Sequence, residues 1–263
     1  DEIAVKDNAG ANSIYELKAG AGTKEGTFSL KSGSAPQGAI KAFYPASVVD
    51  GANLVWPEIQ KGGLSVPMYA EAEAATAETK LGFNSLGAIF RIFFSTSAEK
   101  IKLTSVTLRA LGETPAALSG EFTVDAGKAV IVKGGKSSVT LQLAEGGVSV
   151  GSSPVPFDIS IPAGTYADGF EIELNTTDNT SCKLTSTSSF VIAQNSVNMI
   201  IIKGDGFKYP VPENVVLPGE FSISASEKVH FTRGNLIYDV TASKWGFYQN
   251  QYDRATAKSN TLV

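Results

Sequence analysis

Between Pro156 and Lys203 the sequence alternates so regularly that its backbone has few choices. Asp158 and Ser160 separate Phe157, Ile159 and Ile161, and Glu171 and Glu173 separate Phe170, Ile172 and Leu174. Successive side chains of a strand point to opposite faces, so each run puts its apolar residues on one side and its polar residues on the other. Between the runs lies a turn of Pro162, Ala163, Gly164, Thr165 and Tyr166. A slip of one residue would send every side chain to the wrong face. Phe157, Ile159, Ile161, Phe170, Ile172 and Leu174 are therefore expected in a core, with Asp158, Ser160, Glu171 and Glu173 in water.

Strand-like segments recur at short intervals elsewhere: Thr27 to Lys31, Ala39 to Tyr44, Ala88 to Phe94, Ile101 to Arg109, Ser119 to Val124, Val139 to Leu143, Ser181 to Ser186 and the apolar run Val197 to Ile202. Such spacing predicts an all-β sandwich. Charged residues make up only 18% of the 263, which fits a chain of strands and turns better than one of helices. Tyr69 to Lys80 has helix-forming composition but no apolar stripe at helical spacing, and reads as a loop with one helical turn. Linker signals fall at Asp125 to Gly127 and at Gly204 to Pro218, which holds Pro210, Pro212 and Pro218. They predict three parts: residues 1–126, 127–209 and 210–263. The last is marginal as an independent domain.

Chemistry-bearing motifs are sparse. The net charge of −4 and the lack of a clustered basic stretch argue against a nucleic-acid partner. The single histidine, His230, alternates with Val229 and Phe231 as a strand residue, and no nucleophile elbow supports a triad. The single cysteine, Cys182, excludes an intramolecular disulfide and reads as a small buried side chain. Gly134, Gly135, Lys136 and Ser137 resemble the end of a phosphate loop, but Val130 stands where its first glycine belongs. Gly20, Gly22 and Gly26 miss the dinucleotide-binding spacing. Glu171 and Glu173 share a strand face and read as a solvated face, and Asp178 and Asn179 as a hairpin tip. No catalytic residue, cofactor or metal ligand is expected, and the chain reads as a non-enzyme. Tyr238, Trp245 and Tyr248, with Phe247 and Tyr252, offer flat apolar faces on which sugar rings could stack, or form part of a core. No apolar run approaches the roughly 20 residues of a membrane span.

Several segments, in order, resemble the fimbrillins, the pilus subunits of Bacteroidota surfaces. They are Gly26 to Ser29, Ala42 to Pro45, Val66 to Ala70, Leu81 to Phe94, Ser119 to Phe122, and Ile161 to Gly164 followed by Gly169 and Phe170. Together they cover about residues 27–206. Gln194 stands where the family usually has Arg before the Asn of the final turn. The resemblance implies two tandem transthyretin-like (Greek-key) β-sandwiches with a partial C-terminal extra domain, since Gly219 to Asp253 is similar to the opening of an additional domain of surface proteins. It also implies export as a lipoprotein, with membrane contact only through a lipid anchor, and a place at the outer membrane or in a type V fimbrium, as a tip or accessory subunit. The implied partners are other pilin subunits, joined by donor-strand exchange. A strand burying four apolar side chains at about 1.5–3 kcal/mol each would contribute roughly 6–12 kcal/mol to such a joint. On that basis an early strand, within Ile3 to Leu17 or Thr27 to Lys31, is expected at a sheet edge where its loss would open an apolar groove, with Asn8 to Ser13 as an exposed protease-sensitive loop. The alternative is a monomeric surface lipoprotein that binds a host or bacterial glycan or protein.

Overall fold

The computed structural model describes residues 1–10, 12–61, 66–98, 101–207, 216–225, 227–232, 236–239 and 244–247. Among them the one helical element is a 3-10 turn, Ala46–Val48, and the fold is all-β. The first sheet is antiparallel, in the order β3 (Thr27–Ser32), β2 (Asn12–Ala19), β1 (Glu2–Asp7), β4 (Ile40–Tyr44), β8 (Met68–Ala72), β9 (Asn84–Ser85). A second sheet runs β13 (Lys128–Lys136), β12 (Ser119–Asp125), β6 (Asn53–Trp56), β5 (Val49–Asp50). Phe43 and Tyr69 of the first pack with Trp56 and Phe122 of the second, around Val48 and Leu86. The other face of the first sheet buries Ile3, Val5, Ile40, Ala42 and Ala70 beneath Leu81 and Phe83.

The larger core lies between two further sheets. One is β16 (Val155–Pro162), β10 (Gly87–Ser95), β21 (Val197–Lys203), with β10 antiparallel to β16 and parallel to β21. The other is β19 (Ser181–Ser186), β18 (Phe170–Thr176), β11 (Ile101–Ala110), β14 (Ser138–Gln142), β7 (Ile59–Lys61), with β15 (Val148–Val150) also on β11. Ala88, Phe90, Ile92 and Phe94 of β10 meet Leu103, Val106 and Leu108 of β11 and Ile172 and Leu174 of β18 across the interior. Phe90, Tyr166, Phe170 and Phe190 form an aromatic cluster with neighbouring centroids 4.8–5.7 Å apart. The short pair β17 (Gly164–Tyr166) and β20 (Phe190–Ile192) delivers Tyr166 and Phe190 to it.

The expected core set is buried: Phe157, Ile159, Ile161, Phe170, Ile172 and Leu174. Ser160 is a correction, because it too is buried. Its backbone carbonyl accepts from Trp56 Nε1 at 3.2 Å and from Gln60 Nε2 at 2.7 Å, and its N–H donates to Gln60 Oε1 at 2.9 Å. The Trp56 ring thus covers the outer face of β16. Gly87 permits this approach: a Cβ there would lie 2.4 Å from the Trp56 ring and 2.3 Å from the Ile161 carbonyl oxygen.

Asp125 to Gly127, read as a linker, is the turn of the β12–β13 hairpin. The sheets cross that point in both directions. β10 and β11 belong with strands from the 138–203 region, whereas β13 returns to pair with β12 beside β6. Residues 1–126 and 127–209 are therefore not each a closed pair of sheets. Met68–Ala72, expected in a loop with one helical turn, is a strand paired to β4. The early-strand expectation is corrected as well. β1 is buried but central, between β2 and β4, whereas β3 lies at the sheet edge, with Phe28 partly buried against the core and its other side chains mostly exposed. Part of the proline-rich segment is itself a strand, β22 (Val216–Ser222), paired with β23 (Lys228–Thr232); β24 (Leu236–Asp239) pairs with β25 (Lys244–Phe247).

Candidate functional site

The residues singled out for chemistry do not converge. Glu171 and Glu173 lie on the outer face of β18, with Lys183 Nζ 3.7 and 3.5 Å away and Arg109 Nε 3.6 Å from Glu171. They form a solvated charge ladder. His230 is exposed on β23, and among the described residues no group of His, Cys, Asp and Glu could hold a metal ion. Cys182 is buried opposite Leu174, and burial pushes its thiol pKa up, away from a reactive thiolate. Asp178 and Asn179 form the β18–β19 hairpin tip, with Asn179 at φ 61°.

Of the aromatic candidates, Tyr238 and Trp245 face each other across β24 and β25 with ring centroids 5.0 Å apart. They are 36% and 37% exposed, so one surface of the ring pair is open to water. Tyr248 lies outside the described residues.

A different feature stands out once the sheet edges are compared. An unpaired edge presents a row of free N–H and C=O groups that invites another strand, and proteins blunt such edges with proline, lysine, bulges or short strands. At β16, Ser160 turns its N–H and carbonyl away from β10 toward Gln60, so Pro162, two residues on, and Pro156, four residues back, share its outward direction and lack an N–H where an incoming strand would need it. The Gln60 carboxamide occupies the pairing position between them. β13 carries Lys128, Lys133 and Lys136 and two register shifts against β12. β3 carries Lys31 and two register shifts against β2, β19 carries Lys183, and β5, β7 and β9 have two or three residues each.

β21 runs without a bulge or register shift against β10. Its seven residues, Val-Asn-Met-Ile-Ile-Ile-Lys, contain no proline and a single charge, at the end. The Ser196 carbonyl accepts from Ile89 N–H at 3.0 Å, and Gly204 N–H donates to the Ser95 carbonyl at 3.1 Å. By alternation, Asn198, Ile200 and Ile202 point their amides at β10, and Val197, Met199, Ile201 and Lys203 point theirs at the open edge. Three of those four side chains are large, apolar and outside: Val197 is 50% exposed, Met199 64% and Ile201 76%. The charges around them are already matched. Arg91 and Asp158 form a bidentate pair at 2.7 Å on the same sheet, and Lys203 Nζ lies 3.6 Å from Asp205. Asp205 also accepts from Ser97 N–H at 2.6 Å and from Thr96 Oγ1 at 3.1 Å, and these bonds lower its pKa to about 2. The end of β21 is thereby tied to the turn after β10. Sequence reasoning had noticed Val197 to Ile202 as an apolar run, but had no means of telling that alternate members face water.

No protein-family model matches the chain, and no curated protein does. Among solved structures it is similar to a candidate cell adhesion protein of Bacteroides ovatus, at 13% identity over 81% of this chain and 88% of the other, with a TM-score of 0.46. A second such protein, from Bacteroides uniformis, has 14% identity, coverage of 79% and 88%, and a TM-score of 0.46. The tip fimbrial protein Mfa3 of Porphyromonas gingivalis, with a C-terminal truncation, has 10% identity, coverage of 77% and 88%, and a TM-score of 0.34. With identities this low and TM-scores below 0.5, the functional reading has to come from the geometry.

Proposed function

We propose that this protein is a structural or adhesive subunit of a cell-surface fimbria, joined to its neighbours by β-strand addition or exchange, and not an enzyme. The observation that carries this reading is the β21 edge: a seven-residue strand whose outward amides have no strand beside them among the described residues, with Val197, Met199 and Ile201 exposed, while the other longer edges of the described sheets are blunted. A solitary surface protein gains nothing from leaving such an edge open, whereas a subunit gains a joint. The fimbrillin resemblance, with its outer-membrane placement, lipid anchor and tip or accessory role, agrees with this reading. Ile201→Lys places a charge in the joint at a position already exposed, so the fold is expected to survive. In bacteria carrying the gene, the variant should reach the surface in normal amount yet be missing from immunolabelled fibres; normal incorporation would refute assembly at this edge.

A second reading rests on the Tyr238–Trp245 ring pair, whose open surface suits stacking on a sugar ring. It makes the C-terminal hairpin a glycan-binding element, on a subunit or on a monomeric surface lipoprotein.

A further inference from the structure

The smaller core opens into a pocket of about 310 Å³ between its two sheets, and a pair of like charges stands there. Lys6 of β1 and Lys41 of β4 are directly opposite each other in the first sheet, on the face that carries Phe43 and Tyr69 toward the second. Like charges directly opposed across two strands destabilise a sheet. Neither lysine has an ion pair among the described residues. Lys6 Nζ donates to the Gly51 and Ala52 carbonyls at 3.3 and 2.9 Å, which holds the ammonium at the pocket wall without cancelling its charge. Partial burial there lowers its pKa, and no anion offsets the shift. The nearby acidic groups are engaged elsewhere. Glu71, opposite Lys41 on β8, accepts from Tyr69 Oη, and Glu121, on the far wall, is 3.5 Å from Lys133 Nζ.

We infer that this pocket binds an anionic sugar, a single ring whose carboxylate or sulfate lies between Lys6 and Lys41. It gives the subunit an adhesive site on the smaller core that does not depend on the joint at β21. The other walls select the body of the anion. Asn53 and Thr123 are exposed and offer an amide and a hydroxyl, and Glu121 offers an acceptor, groups that pair with sugar hydroxyls. An acyl chain would leave each of these it buries without a partner, at about 1–3 kcal/mol apiece. Leu54, Val124 and Val132 supply an apolar strip for the C–H face of the ring. Small-molecule sites span roughly 300–1,000 Å³, and this one lies at the low end, with room for one ring and not for an extended chain.

Lys41 is exposed, so Lys41→Gln removes one of the two charges and leaves the fold intact. In amide chemical-shift titrations of the full chain, glucuronate or glucose 6-sulfate should bind several-fold tighter than glucose, with shifts at Lys6, Lys41, Asn53 and Thr123. Whichever of the two binds identifies the charged group. Lys41→Gln should weaken that sugar several-fold, and Trp245→Ala should leave its affinity unchanged. Glucose bound as tightly, inorganic sulfate bound as tightly, no binding of either anionic sugar, or an affinity indifferent to Lys41→Gln would each overturn the assignment. So would a loss that follows Trp245→Ala, which places the sugar on the C-terminal hairpin. The titration is made on dissociated subunits, so every one of these failures leaves the reading of β21 as a joint standing.

Discussion

Ile172→Asp should abolish the cooperative unfolding transition of the larger core. Ile172 is 2% exposed, on β18, with Leu108 opposite on one side and Leu184 on the other. Truncating a buried isoleucine costs about 2–5 kcal/mol, and forcing a carboxyl into the vacated space, neutral or charged, adds several more. The sum rivals the 5–15 kcal/mol that holds an ordinary domain together. Urea melts followed by near-ultraviolet circular dichroism would show the loss. Val191→Asp, at a residue 74% exposed, serves as the control and should move stability by no more than about 0.5 kcal/mol. An Ile172→Asp protein within about 1 kcal/mol of wild type would contradict the sandwich packing described here.

Trp56→Ala should be nearly as damaging, by about 3–5 kcal/mol. Trp56 is fully buried, packs edge-on to Phe122 with centroids 5.9 Å apart, and donates from Nε1 to the Ser160 carbonyl. It belongs to the smaller core and rests against the outer strand of the larger one, so its loss weakens both. Trp56→Phe keeps most of the buried ring and removes the N–H. The Ser160 carbonyl retains its bond from Gln60, so this milder change should cost only about 1–2 kcal/mol. Equal losses for the two variants would mean that the hydrogen bond, not the ring, dominates.

Strands with strict alternation were legible from sequence because their period records which face is buried. Phe157 to Ile161 and Phe170 to Leu174 lie where the pattern puts them, and only Ser160 departs, since no local pattern can foretell that Trp56, about a hundred residues earlier, will cover it. Pairing partners were not legible. Alternation says nothing of which strand lies alongside, so the parallel union of β10 with β21, and the return of β13 to the smaller core, came only with the structure. β13 was not among the strands expected from sequence, since Gly134, Gly135 and Lys136 at its end read as the remnant of a phosphate loop and not as an edge strand. β21 was legible as apolar and misleading as to burial. A continuous apolar run usually marks a strand covered on both faces. Here Val197, Met199 and Ile201 on the outer face are exposed, and that mismatch between pattern and environment is the strongest pointer to a partner.

Amide hydrogen exchange along β21 tests that central claim most directly. In the isolated subunit at low concentration, the edge-facing amides of Val197, Met199, Ile201 and Lys203 should exchange fast, while those of Asn198, Ile200 and Ile202, bonded to β10, exchange slowly. In the assembled fibre all seven should be slow. Slow exchange at Val197, Met199, Ile201 and Lys203 already in the dilute monomer, or fast exchange persisting there after assembly, would contradict β21 as the joint.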